Sequence, residues 1–199
     1  MHVFEKIIPV VLRFERLGSR ILPNGVELIG HVPHRGPHAF LHLTFPPLND
    51  HDTRDIEQQI GCPLPYELKE FYSYTNGLDL FSCSLAIYGL RRSFARSGDE
   101  ARQPFSIVTP NTIERPLTLP GSVVIFGSYE WDGSTLGMSP ECPTVYRFAP
   151  NSVEVLSEWP TFEEMLLREV DRLSALFDAK GRKLDEDAPT TPEPQIRVE

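Results

Sequence analysis

The stretch SVVIFGSYEWDGSTLGM, residues 122–138, decides the fold. Val123–Phe126 and Ser134–Met138 are rich in β-branched and large apolar residues, and Asp132-Gly133 between them is a favoured pair for a hairpin turn. A period of two also runs outward from this hairpin. Leu85–Tyr88 lies upstream, Val145–Phe148 and Val153–Leu156 lie downstream, and each run is bounded by Gly, Pro, Asn or Asp. Ala149-Pro150-Asn151-Ser152 supplies a second short connection. Neighbouring strands with connections this short must run antiparallel, so the middle of the chain reads as a meander.

Helical punctuation precedes the meander. Asp52 or Thr53 can cap a short helix carrying Ile56 and Ile60 on one face, stopped by Gly61. In CPLPYELKEFYSYTNG, residues 62–77, Pro65 suits the first helical position, Leu68, Phe71 and Tyr72 share a face, and Asn76-Gly77 is a left-handed stop. Residues 91–116 form a long polar insert with Arg91, Arg92, Arg96 and Arg102, read as a solvated loop with little regular structure.

A closing helix follows the meander. Thr161 and Glu164 match a capping box, and Phe162, Met165, Leu166, Val170, Leu173 and Phe177 make an apolar stripe. From Ala179 the chain is charged, rich in proline and poor in large apolar groups. That composition predicts a disordered tail over 178–199.

The first 45 residues form an extension packed on the main domain of 46–177. Val26–Val32 and His38–Phe45 read as a hairpin. Ahead of them Phe4, Ile7, Ile8, Val11 and Phe14 fit a helical stripe, while Pro9 and the β-branched residues favour extended structure, so both readings stand. The fold class is α+β: a curved antiparallel sheet flanked by helices, with an N-terminal extension carrying a β-hairpin.

The net charge of −9 is unevenly placed: +2 over residues 1–45, −9 over 46–177 and −2 from Asp178. An acidic body disfavours nucleic-acid phosphates and favours a basic protein partner. No apolar run is long enough to span a bilayer, and the charged N-terminus lacks an export pattern. Cys62, Cys83 and Cys142 are odd in number and lack metal-ligand spacing. Free thiols and a cytoplasmic location are the expectation.

In order and spacing, IEQQIGCPLPYELKEFYSYTNGL, LAIYGL, SVVIFGSYEWDGSTLGM and EWPTFEEMLLREV resemble the SUKH superfamily, which includes bacterial immunity proteins and a fungal cell-wall regulator. The matching positions are Ile56 and Gly61, Leu64-Pro65, Asn76-Gly77, Trp131-Asp132-Gly133 and Phe162. The resemblance covers residues 46–177 and implies a non-enzymatic protein-binding domain. For bacterial members it further implies neutralisation of a cognate polymorphic toxin, often a nuclease, by direct binding. Neither a cofactor nor a metal is implied.

Several residue groups compete for a functional role. His31, His34, His38 and His42 suggest zinc, but no cysteine lies near them and their spacing is not a zinc signature, so ordinary histidines are the better reading. All six histidines lie at or before His51, and no G-x-S-x-G or phosphate-cradling glycine loop occurs, so no catalytic residues are assigned. Trp131, in a predicted turn, is either an interface anchor or a ring folded back over the sheet. The candidate partner-binding residues are Asp79, Glu130, Trp131 and Asp132, all in predicted turns. An immunity protein is the first functional reading. A cytoplasmic regulatory or scaffold domain and a small metal-dependent hydrolase using the N-terminal histidines are the alternatives.

Overall fold

The structure is a computed structural model describing residues 1–195. Among them are five α-helices: α1 (Val3–Leu12), α2 (Asp50–Ile60), α3 (Tyr66–Tyr72), α4 (Val108–Asn111) and α5 (Phe162–Ala175). Nine strands make one sheet: β1 (Ser19–Ile21), β2 (Glu27–His31), β3 (Phe40–Thr44), β4 (Leu78–Leu80), β5 (Leu85–Ile87), β6 (Val124–Ser128), β7 (Thr135–Ser139), β8 (Cys142–Phe148) and β9 (Val155–Trp159). Spatial order equals chain order and every pairing is antiparallel. The sheet is curved and stays open, because β1 and β9 do not meet. Register shifts between β6 and β7, β7 and β8, and β8 and β9 each add a local bend.

The helical stripe of the first segment prevails over its proline. His2 caps α1 reciprocally with Glu5, and Val3, Ile7 and Val11 are buried, with α1 lying against α5. Pro9 withholds one N–H from the helix ladder, a loss outweighed by burial of the apolar face. The N-terminal hairpin joins the main sheet directly: Leu43 faces Asp79 and Thr44 faces Leu78.

Local signals differ from expectation by small steps with clear causes. The cap of α2 is Asn49, whose side chain accepts from the backbone N–H of His51 and Asp52, while Asp52 returns a bond to the Asn49 N–H. Gly61 closes α2 in the left-handed region, as read. Thr161 caps α5, but the reciprocal bond is absent because Glu164 pairs with Arg168 one turn on. The first N–H of α5 donates instead to Glu67 of α3, 2.8 Å away.

Asn76-Gly77 does something other than stop α3, which ends at Tyr72. The Asn76 amide donates to the Leu90 carbonyl at 2.9 Å and its oxygen accepts the Leu90 N–H at 2.7 Å, standing in for a strand neighbour. Gly77, at φ +88°, passes so close to Ile87 that a Cβ would lie 2.5 Å from its carbonyl oxygen. Gly fits because it has no Cβ.

The expectation of a disordered tail is corrected for the described residues. After α5 the chain folds back as a strap: Phe177 bridges Lys183, and Gly181 packs on Val32. Thr190 and Thr191 are buried, and the Gln195 N–H donates to Leu156 on β9. Composition misled because this segment is held by charged partners on the body: Arg172 donates to the Thr190 carbonyl and Arg147 to that of Pro192. Residues 196–199 lie outside the described residues.

Candidate functional site: a pocket on the open face of the sheet

Directly opposed residues share a face, so the register defines one row across all nine strands: Arg20, Leu28, Leu43, Asp79, Ala86, Ser128, Thr135, Phe148 and Val155. The other face packs on the helices in the main core. This open face carries a small apolar cluster at each end, one around Leu28 and Leu43 and one around Ile125 and Phe148. Between them the row narrows to Ala86, Ser128 and Thr135, and these small side chains leave a pocket of about 450 Å³.

The insert builds one wall. It is not a free loop: Gly89 bridges Ser106, Phe105 packs 6.2 Å from Tyr88, and Asn111 of α4 bonds the backbone of Ile125 in both directions. Of the four arginines read as solvated, Arg92 pairs with Asp52 at 2.6 Å, and Arg102 donates to the His38 carbonyl at 2.8 Å. Glu114 and Glu130 both line the pocket, and among the described residues neither carboxylate has an ion-pair partner. Phe94, Phe105 and Ile113 from the insert, and Leu117 just after it, are exposed large apolar side chains.

The remaining wall includes a strained turn. Phe81, Ser82 and Cys83 take φ values of 52°, 54° and 68° in succession. Left-handed conformations cost roughly 1–2 kcal/mol per non-glycine residue. The turn is tied down from three sides: Phe81 N–H to His42 Nδ1, Ser82 N–H to the Leu41 carbonyl, and Cys83 N–H to Asp79 Oδ1 at 2.7 Å. The Cys83 thiol donates to the other Asp79 oxygen at 3.1 Å, and burial raises the pKa of both groups.

The structure separates the four sequence-predicted site residues. The half-buried Asp79 carboxylate holds the turn at Cys83, a residue that lines the pocket. Glu130 is exposed at the pocket. Trp131 is 46 % exposed, and Lys183 of the strap lies 4.3 Å over its ring. Asp132 turns inward to Arg147 at 2.5 Å and accepts the Ser134 N–H. Arg147, 2 % exposed, also donates to Ser134 Oγ and Pro192, so Asp132 is a structural ion-pair partner. Of the family-pattern residues, Leu64 and Phe162 are core, Pro65 precedes α3, and Gly133 turns the hairpin at φ +71°. Sequence reasoning missed Tyr88, Phe105 and Glu114. An aromatic residue inside a polar insert was the available signal.

The histidines do not assemble. His42 is buried against Phe14 and Phe81, and the His31 ring contacts the Pro37 carbonyl. Among the described residues no group of three or more His, Cys, Asp or Glu could hold a metal. Burial drives the His42 pKa down to about 3, with Arg13 adding to the effect. Below pH 6.5 the unfolded chain takes up a proton that the folded one refuses, so stability falls as pH drops, at about 1.4 kcal/mol per unit. Denaturant titrations should show this site costing about 2 kcal/mol at pH 5 relative to neutrality. His42→Phe should flatten that slope; an equally steep slope in the variant would assign it elsewhere.

The chain is an open antiparallel meander backed by helices on one face, with a pocketed and partly apolar opposite face. The family model described as SMI1 / KNR4 family (SUKH-1) matches residues 47–168, and the chain belongs to that family. Its members are generally non-catalytic immunity or regulator domains. No curated protein matches the chain. Among the described residues no helix is long and apolar enough to cross a membrane.

Proposed function

We propose that this chain is a cytoplasmic immunity protein that neutralises a cognate bacterial toxin by direct binding, with the open face of the sheet as its contact surface. The observation that carries the reading is the pocket between Glu114 and Glu130, bordered by an insert with exposed Phe105 and Ile113. Unpaired carboxylates beside exposed apolar groups suit a basic partner, since charge complementarity steers encounter while apolar anchors slow release. Nuclease toxins, which hold phosphates, present such basic surfaces.

Co-expression with the toxin encoded beside this chain should restore growth, and the two proteins should co-purify. Failure of both would reject the reading. In surface-binding kinetics, Glu130→Lys should slow association several-fold at low salt while leaving Tm unchanged. Trp131→Ala should chiefly speed dissociation. Asp132→Lys should behave differently, costing about 2 kcal/mol of stability because Arg147 loses its carboxylate, a loss moderated by the partial exposure of Asp132. Equal Tm values for the Glu130 and Asp132 variants would refute the division of roles between them.

A further inference from the structure

The pocket has features that a generic contact surface does not need. Its floor is a cross-strand run of small residues, Ala86, Ser128 and Thr135. The aromatic pair Tyr88 and Phe105 stands at one side, and Glu114 and Glu130 come from two separate elements, the insert and the β6–β7 hairpin. Among the described residues no Lys, Arg or His lines it. Backbone strain gathers here as well: Cys83 and Asn151, two of the four non-glycine residues at positive φ, both line the pocket.

These groups match one side-chain chemistry. A guanidinium is planar, stacks on aromatic faces, and offers a fork of N–H donors that carboxylates accept. Ammonium carries the same charge but lacks the plane and the fork. We propose that this pocket is the receptor for an arginine side chain presented by the partner protein, with Glu114 and Glu130 accepting from the guanidinium beside the Tyr88 and Phe105 rings. This rests on the immunity reading for the identity of the partner, though not for the chemistry of the pocket.

Because the pocket chemistry stands alone, it can be tested on the full chain without the toxin. The probe is N-acetyl-arginine amide, titrated against the protein while backbone amide NMR shifts are followed, with the norleucine and lysine analogues as controls. Saturable shifts are expected at Ser128, Gly133 and Thr135, with a Kd on the order of millimolar for a single side chain. Binding should be tighter than for the lysine analogue and absent for norleucine. The conservative double variant Glu114→Gln, Glu130→Gln should weaken binding about five-fold or more at unchanged Tm, and Ser128→Tyr, which fills the floor, should abolish it. Norleucine binding as well as arginine, shifts centred elsewhere, or indifference to the double variant would overturn the assignment. Growth rescue by a protein that ignores the arginine probe leaves the immunity reading intact and removes the pocket proposal. Arginine binding in a protein that neutralises no toxin does the reverse.

Discussion

Truncation after Asp178 is expected to lower the thermal midpoint by about 10 °C. The strap supplies carbonyl acceptors to two arginines: Pro192 to Arg147 at 2.6 Å and Thr190 to Arg172 at 2.7 Å. Each charge-assisted bond contributes roughly 1.5–3 kcal/mol. Arg147, almost wholly buried, has few other acceptors once Pro192 is gone, although Asp132 and Ser134 remain. The strap also covers Val32, through Gly181, and lays Lys183 over Trp131. A loss of about 3–5 kcal/mol follows, and for a chain of this size each kcal/mol moves Tm by roughly 2–4 °C. Calorimetry of the full chain and the truncated one checks it. A midpoint lowered by less than about 2 °C would mean that the strap contacts contribute little and that the composition-based reading of a free tail is the better one.

Phe162→Ala is expected to cost about 4 kcal/mol, within the usual range for emptying a buried aromatic site. The side chain is 1 % exposed, and its ring meets Phe71 of α3 at 5.2 Å and Phe126 of β6 at 5.4 Å, both edge-on. It therefore links the first helical layer, the sheet and the closing helix in one contact. The two ring neighbours sit on different elements, α3 and β6, and cannot collapse together into the space left, so the cavity term should be near its full size. Denaturant unfolding measures the loss, and Phe162→Leu separates volume from edge-to-face geometry by costing about 1–2 kcal/mol. An alanine variant losing less than about 1 kcal/mol would show that the site relaxes freely.

The two predictions differ in how visible their causes were in the sequence. Phe162 was legible: it follows a threonine cap and begins a stripe with Met165, Leu166, Val170 and Leu173, all of them buried. The strap was not. Its anchors, Arg147 and Arg172, lie in β8 and α5, and the bonds they make are to backbone carbonyls, which every residue carries and no sequence pattern marks.

A similar division runs through the whole molecule. Alternation over residues 122–138, a left-handed Gly61 and the stripe of α5 are local or periodic signals, so the sequence alone determined a meander, its flanking helices and the family pattern. Their exact ends shifted by a few residues where a cap such as Asn49 competed with Asp52. Only the tertiary structure decided which way the hairpin carboxylates turned. Glu130 and Asp132 are two residues apart and chemically alike, yet one stays unpaired at the pocket while the other pairs with a buried arginine fifteen residues on. That choice depends on β7 and β8 bringing Arg147 against the hairpin. The pocket itself exists only because Ala86, some way upstream in the chain, comes into register with Ser128 and Thr135 of the hairpin on one face, with an insert folded down beside them. Pairing between distant strands and the burial of charge are properties of the assembled fold, and no local run of residues specifies them.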